Sequence, residues 1–128
     1  MESETNKQPV LILEIPSSYA ALEGLSIYIR TDVGGLIPHF YVMSRCGYKR
    51  FYTCIEIEQN NYFRLDGKKG KLNAKQRKCL NEYLHEDFGY DGEGTNWGYM
   101  VYVWNRYNPQ KQISLDLIQP DYTTIKDI

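Results

Sequence analysis

The sequence predicts an α+β fold in which an antiparallel sheet of about four strands precedes two C-terminal helices packed on one of its faces. Two observations lead to this prediction. Through residues 25–58, apolar residues alternate with polar ones between short turn-forming segments. From residue 73 onward, apolar residues recur every three or four positions instead. Strands followed by helices are typical of an antiparallel sheet covered by helices.

The first half of the chain contains four predicted strands, which cover residues 9–15, 25–30, 37–43 and 51–58. Pro16 closes the first, and residues 32–35 (Asp-Val-Gly-Gly) are typical of a hairpin turn between the second and third. In the fourth, Ile55 and Ile57 alternate with Glu56, which predicts one apolar face and one polar face. Two more segments fit strands, namely residues 62–65 at an edge and residues 113–118 near the end.

Two helices are predicted in the second half. Asn73, with Gln76 three residues later, fits a capping box at the start of the first helix. Thr95 is a typical N-cap for the second helix. Trp97 and Trp104 lie seven residues apart in the second helix, which places both on one of its faces. We therefore expect both indoles to be buried against the sheet.

Length and composition predict a single domain over residues 9–128, preceded by a disordered tail over residues 1–8. A chain of 128 residues with 42% hydrophobic residues is long enough to bury one core. The tail has no apolar residue after Met1 with which to pack. The apolar runs are too short to cross a bilayer, and the three cysteines lack the spacing of a disulfide scaffold. We expect a cytoplasmic protein with no membrane partner.

The candidate catalytic residues lie on the third and fourth strands. If Phe40 and Val42 face the core, alternation places His39 and Tyr41 on the outer face together with Glu56. Such a polar strip suits acid–base chemistry, with His39 as base or acid, Glu56 orienting it and Tyr41 or Tyr52 positioning a substrate, as in a metal-free ribonuclease. The alternative interpretation is the ordinary wet face of an antiparallel sheet.

A basic segment is the second candidate site. Ten of the fifteen Lys and Arg residues lie between positions 45 and 78, and acidic residues follow directly. In the first helix the basic residues occupy the N-terminal half, opposite to the order that the helix dipole favours. We therefore expect contact with a nucleic acid or an acidic protein, against the alternative of a solvated helix face. The expected binding residues are Arg64, Lys68, Lys69, Lys71, Lys75 and Lys78.

No cofactor and no metal ion are expected. The glycine- and lysine-rich sequence around Lys71 lacks P-loop spacing, and Leu72 stands where Ser or Thr is needed. His39, Cys54 and Glu56 come from separate strands without a recognisable ligand spacing. Twelve tyrosines against four phenylalanines instead favour a contact surface somewhere on the protein, because tyrosine combines an apolar ring with a polar tip.

The order of several segments resembles that of small bacterial proteins of the DUF4160 type. The resemblance covers roughly residues 36–108 and is carried by residues 38–42 (Pro-His-Phe-Tyr-Val), 55–57 (Ile-Glu-Ile), 72–76 (Leu-Asn-Ala-Lys-Gln) and 104–105 (Trp-Asn). It departs from that family at Tyr41, where the family often repeats a histidine. The resemblance implies a toxin–antitoxin-like interaction module that binds a protein or a nucleic acid. The alternatives are a ribonuclease-like enzyme using His39 and a protein inhibitor of a nucleic-acid-binding partner.

Overall fold

The strands and helices follow one another along the chain nearly as the sequence predicts. The computed structural model describes residues 9–31, 36–44, 51–63, 70–88 and 94–126. The predicted tail over residues 1–8 and the predicted turn over residues 32–35 lie outside the described residues. The strands within them are β1 (Val10–Glu14), β2 (Leu25–Ile29), β3 (His39–Ser44) and β4 (Tyr52–Glu56), and the α-helices are α1 (Ala74–His85) and α2 (Asn96–Tyr107).

The four strands form one antiparallel sheet in the order β1-β2-β3-β4, which confirms the predicted α+β class. Each strand pairs with its neighbour in sequence, so β1 and β4 are the outer strands. The pairing of β1 with β2 is irregular. Leu11 is opposite Tyr28 and Leu13 is opposite Ile27, which leaves Ile12 as an extra residue in a β-bulge.

Both helices pack on one face of the sheet, as expected. That face contributes Ile27, Phe40 and Ile55 to the main core, and all three are fully buried. Trp97 and Trp104 are buried in the same core, which confirms the prediction made from their spacing. Each indole N–H also has a partner, since Trp97 Nε1 donates to the Tyr122 hydroxyl at 3.1 Å and Trp104 Nε1 donates to the Lys111 carbonyl at 2.8 Å.

Capping side chains set the start of each helix where the sequence predicts it. The Gln76 N–H donates to Asn73 Oδ1 at 2.8 Å, and the Asn73 N–H donates to Gln76 Oε1 at 2.9 Å, which completes the capping box of α1. Thr95 Oγ1 accepts from the Gly98 N–H at 3.1 Å at the start of α2. Gly94 precedes this cap with a φ of 81°, a conformation that favours glycine.

The opposite face of the sheet is also buried, so the predicted wet face is wrong. Tyr41, Met43, Cys54 and Phe63 form a second apolar cluster there, and Tyr28 packs against it. The alternation of the residues was predicted correctly. The error lay in treating Tyr and Cys as exposed residues, because in this chain their apolar surface serves a second core.

Residues 113–118 do not form the predicted last strand. The side-chain amide of Asn105 takes the place of a neighbouring strand for Ile113, because it accepts from the Ile113 N–H at 2.7 Å and donates to the Ile113 carbonyl at 2.9 Å. The residues that follow lie along the outside of the fold, and Leu115 and Ile118 are strongly exposed. The Asn105 side chain thus satisfies both backbone groups of Ile113, so Ile113 needs no neighbouring strand.

The outer edge of β4 is covered by two further pieces of chain. Tyr62 pairs with Ile55 in an isolated antiparallel bridge, and the Phe63 N–H donates to the Cys54 carbonyl at 2.9 Å. Lys126 then pairs with this piece, since its carbonyl accepts from the Tyr62 N–H at 2.8 Å. The predicted edge strand over residues 62–65 is thus present only as a short pairing, and Leu65 lies outside the described residues.

Candidate functional site

His39 and Glu56 share one face of the sheet, as the sequence predicts. Strand β3 begins at His39, and the register of β3 with β4 places His39 directly opposite Glu56 and Tyr41 directly opposite Cys54. Side chains of directly opposed residues project to the same side of an antiparallel pair. The structure therefore brings the three predicted catalytic residues, His39, Tyr41 and Glu56, into one neighbourhood.

That neighbourhood is closed to solvent. The imidazole of His39 is fully buried and stacks on the ring of Phe63, with centroids 4.0 Å apart and planes within 3° of parallel. The ring of Tyr41 lies 5.9 Å away and that of Trp104 lies 5.7 Å away. Tyr41 and Glu56 are themselves buried. Three aromatic rings therefore surround the imidazole where the sequence predicted an open, polar strip.

The hydrogen bonds of His39 fix its protonation. Nδ1 lies 2.7 Å from the Ile37 carbonyl, which can only accept, so Nδ1 carries the proton. Nε2 is buried and has no partner among the described residues. Burial lowers the pKa of His39 to about 4, the Ile37 hydrogen bond opposes this change, and the nearby charge of Arg30 adds to it. His39 is accordingly a neutral, inward-facing side chain at neutral pH.

Glu56 is also shaped by burial. Desolvation raises the pKa of the Glu56 carboxyl, a hydrogen bond with Asn61 opposes the rise, and the charge of Glu58 adds to it. A general base has to reach its substrate proton, directly or through one water. Because the imidazole is enclosed by aromatic rings and poorly basic, this geometry does not favour acid–base catalysis at the predicted residues.

The predicted basic site is only partly within the described residues. Lys71, Lys75 and Lys78 are exposed at and near the N-terminal half of α1. Arg64, Lys68 and Lys69 lie outside the described residues.

Arg77 accounts for part of the unusual charge order in α1. Its Nε donates to the Thr123 carbonyl at 2.9 Å, and its Nη1 donates to the Leu72 carbonyl at 2.8 Å. Hydrogen bonds from a charged donor are stronger than those between neutral groups. Arg77 therefore ties residues near the end of the described chain to the start of α1, which is a structural reason for a cation at an otherwise unfavourable helix position.

A groove lies between strand β1 and helix α2, and we call it the edge groove. Its volume is about 310 Å³. The residues that line it are Val10, Leu11, Ile12, Ile29, Tyr99, Tyr102, Val103, Arg106 and Tyr107. Eight of these nine are apolar or tyrosine, and Arg106 is the one charged residue. The volume is at the low end of the range for ligand pockets, with room for one or two side chains.

The helical wall of the groove is a second stripe along α2. Tyr99, Tyr102, Val103 and Arg106 recur at three- and four-residue spacing, beside the stripe that carries the two buried tryptophans. Tyr102 is 56% exposed and Tyr107 is 48% exposed. The ring of Tyr99 is stacked on Phe88 with centroids 3.9 Å apart. This wall therefore offers two exposed tyrosines and one tyrosine whose ring is held by stacking.

The strand wall of the groove is the outer edge of β1, which no described segment pairs with. Within the described residues, no segment pairs with the outer side of β1, and the one contact to its backbone from outside the sheet is the Tyr83 hydroxyl, 3.3 Å from the Glu14 carbonyl. Val10 is 46% exposed and Leu11 is 41% exposed. The backbone N–H and C=O groups of β1 thus lie beside the apolar side chains that line the groove.

The sequence predicts a tyrosine-rich contact surface, but the position of this groove was not predicted from it. Two signals were present. The second apolar stripe of α2 extends past Trp104 to Tyr107, and the first strand is apolar at Val10 and Leu11 without any charged residue before Glu14. These two signals indicate a groove only if β1 is an outer strand and α2 lies beside it. Both conditions depend on contacts between residues that are distant in sequence.

The described part of the chain was compared with the requirements of a metal site and of a membrane span. No group of three or more His, Cys, Asp or Glu side chains is arranged there to hold a metal ion. Neither of its two 12-residue α-helices is long and apolar enough to cross a membrane. Comparison of the chain with protein-family models, curated proteins and solved structures gives no match.

Proposed function

We propose that this protein is an interaction module that binds an extended segment of a partner protein in the edge groove. The observation that carries the proposal is the free edge of β1 beside the exposed tyrosines of α2. An extended peptide can add to such an edge as a further strand, with main-chain hydrogen bonds supplying affinity and pockets for alternate side chains supplying specificity. Tyr and Arg are the residue types most enriched at the energetic centres of protein interfaces.

The remaining candidate functions have weaker support. A ribonuclease using His39 would need an imidazole that reaches its substrate, whereas His39 is enclosed and its pKa is lowered to about 4. A nucleic acid is expected to contact several cations at once. Among the described residues, the edge groove has a single cation, and the exposed Lys75 and Lys78 are on α1, outside its lining. The DUF4160-like order of segments agrees with an interaction module.

Strand addition can be tested with displayed peptides. A random library of extended peptides is panned against the full chain, and the affinity of the selected peptides is measured by fluorescence anisotropy. Backbone N-methylation is then scanned along the best peptide. Because alternate N–H groups of an added strand face β1, N-methylation is expected to abolish binding at every second position and to leave the positions between largely unaffected.

Variants of the protein locate the binding surface. Tyr102→Ala and Val10→Gln, both in the groove, are expected to weaken binding by at least about tenfold. Ile37→Gln is the matched control, because Ile37 is 47% exposed, like Val10, but does not line the groove. Failure to select any peptide, equal affinities for Tyr102→Ala and wild type, or loss of binding with Ile37→Gln would overturn the proposal.

A further inference from the structure

We infer that the segment bound in the edge groove is acidic, with a carboxylate side chain that pairs with Arg106 and an apolar side chain two residues away that enters the cavity. This inference rests on the proposed function and specifies the chemistry of the partner.

The charge of the groove comes from Arg106. Among the described residues that line the groove, Arg106 is the one that carries a charge, and none is acidic. The side chain of Arg106 is exposed, and its guanidinium has no ion pair or side-chain hydrogen bond with any described residue. A guanidinium presents two parallel N–H groups that match a carboxylate. A cation that no described residue pairs with, at an apolar groove, therefore favours an acidic group in whatever binds there.

The second step concerns the neighbours of Arg106. Tyr102 is one helical turn away and Tyr107 is adjacent in sequence, and both line the same groove. A phenolic hydroxyl can donate a hydrogen bond to a carboxylate oxygen. The rings also shield the ion pair partly from water, which strengthens it relative to a fully solvated pair. Tyr102 and Tyr107 thus provide the surroundings in which one carboxylate can be distinguished from a neutral amide.

The third step sets the spacing within the bound segment. Side chains alternate between the two faces of a strand, so residues two apart project toward the same side. In a strand added to β1, the residues that face α2 are therefore every second one. The cavity of about 310 Å³ accommodates an apolar side chain beside Arg106. The recognised pattern is an apolar residue and an acidic residue separated by one position.

A second copy of this chain is the main competing occupant, and its geometry does not fit. Glu14 is the acidic residue of β1. It is opposite Ser26, which in turn is opposite Met43 of the second cluster. The side chain of Glu14 therefore projects away from the helices. If two β1 strands paired antiparallel, a two-fold axis perpendicular to the sheet would leave each Glu14 on that same face. Glu14 of the second copy would therefore not pair with Arg106, which lies on the helical face. A separate acidic segment can instead place a carboxylate beside Arg106.

A phosphorylated segment is also less well matched. Phosphopeptide recognition relies on clusters of arginines that share the doubly charged group. The described lining of the edge groove contains one arginine and no lysine. A single guanidinium is sufficient for a carboxylate, which carries one negative charge. Glutamate or aspartate is therefore the expected anion.

The test uses a matched set of synthetic peptides on the full chain. The best selected peptide is made with Glu, Gln, Lys or phosphoserine at its acidic position, and affinities are measured at low and moderate salt. We expect the Glu peptide to bind wild type at least tenfold more tightly than the Gln peptide, and the Lys peptide to bind most weakly. In Arg106→Glu the order of the Glu and Lys peptides is expected to reverse. Arg106→Lys is expected to retain part of the Glu preference, because it keeps the charge and loses the fork.

Lys111→Glu is the matched control, since Lys111 is an exposed cation just beyond α2 and outside the groove lining. Its peptide affinities are expected to equal those of wild type. Equal binding of the Glu and Gln peptides, a tighter phosphoserine peptide, or an unchanged order in Arg106→Glu would overturn the acidic preference. If Tyr102→Ala still removes binding in those cases, the proposed strand addition stands. A stable dimer in light scattering that Arg106→Glu leaves intact and that excludes peptide would overturn both.

Discussion

The two outer edges of the sheet differ in whether other described segments pair with them. At the β4 edge, two pieces of chain distant in sequence add hydrogen bonds to the sheet, through Tyr62 and Lys126. The Tyr122 hydroxyl reinforces this edge, because it accepts from Trp97 Nε1 at 3.1 Å and donates to the Ile57 carbonyl at 2.8 Å. At the β1 edge, no described segment pairs with the strand.

This difference separates stability from recognition. The covered edge joins the sheet to α2 and to residues near the end of the described chain, so its side chains contribute to the core. The open edge exposes apolar side chains and backbone groups that the fold does not use, a feature that natural sheets usually protect. Substitutions at the covered edge should therefore change stability, and substitutions at the open edge should change binding.

The largest expected effect comes from removing the centre of the covered edge. Tyr122 is fully buried, and Tyr122→Ala removes its ring together with the hydrogen bonds of its hydroxyl. We expect the free energy of unfolding to fall by about 3 to 5 kcal/mol. Tyr107→Ala, at the open edge, is expected to change it by less than about 0.5 kcal/mol. Urea denaturation of both variants measures the difference.

If Tyr122→Ala does not fold, Tyr122→Phe provides the same comparison. It keeps the ring but leaves the Trp97 N–H and the Ile57 carbonyl without their partner, and the expected loss is about 1 to 3 kcal/mol. Similar losses for Tyr107→Ala and Tyr122→Phe would show that the two edges do not differ in this way.

Acid is expected to lower the free energy of unfolding of the protein through His39. The folded-state pKa is lowered from 6.5 to about 4, so between these values the unfolded chain binds a proton that the folded chain does not. Stability is therefore complete above about pH 6.5 and decreases as the pH falls toward 4. We expect the contribution of His39 to this loss to be roughly 2 to 3 kcal/mol at pH 4.5, measured as the change in urea unfolding between pH 7.5 and 4.5.

His39→Gln isolates this contribution from those of the carboxyl groups. The raised pKa of Glu56 acts in the opposite direction, because the folded chain then binds a proton more readily than the unfolded chain. His39→Gln is expected to have a clearly shallower loss of stability with acid than wild type, whatever its stability at pH 7.5. His85→Gln is the control, since His85 is exposed. Identical pH dependence in His39→Gln and wild type would contradict the prediction.

The smallest expected effect is a gain of stability within β4. Thr53 is fully buried, and its Oγ1 has no partner among the described residues. Thr53→Val replaces this hydroxyl with a methyl group of similar size, and we expect the free energy of unfolding to rise by about 0.5 to 1 kcal/mol. Thr95→Val makes the same chemical change at the N-cap of α2 and is expected to lower it by about 1 kcal/mol. A loss in both variants would contradict the prediction.

Local patterns were enough to predict the strands and helices, because alternation and caps depend on neighbouring residues. Asn73 with Gln76, and Trp97 with Trp104, are examples whose predicted roles the structure confirms. The burial of His39 was not predictable in this way, since it depends on Phe63, which is 24 positions away and reaches it only through pairing with β4. The edge groove depends likewise on the order of strands and on which stripe of α2 meets the core.

The β-bulge at Ile12 has a consequence for self-association. An apolar sheet edge can template the addition of identical strands without limit, which is how fibrils grow. In this chain the extra residue interrupts the regular repeat of β1, and Pro9 and Pro16, which lack an N–H, bracket the strand. The usable edge is therefore short and irregular. It can accept one short guest strand, but it is poorly suited to propagate a stack of its own copies.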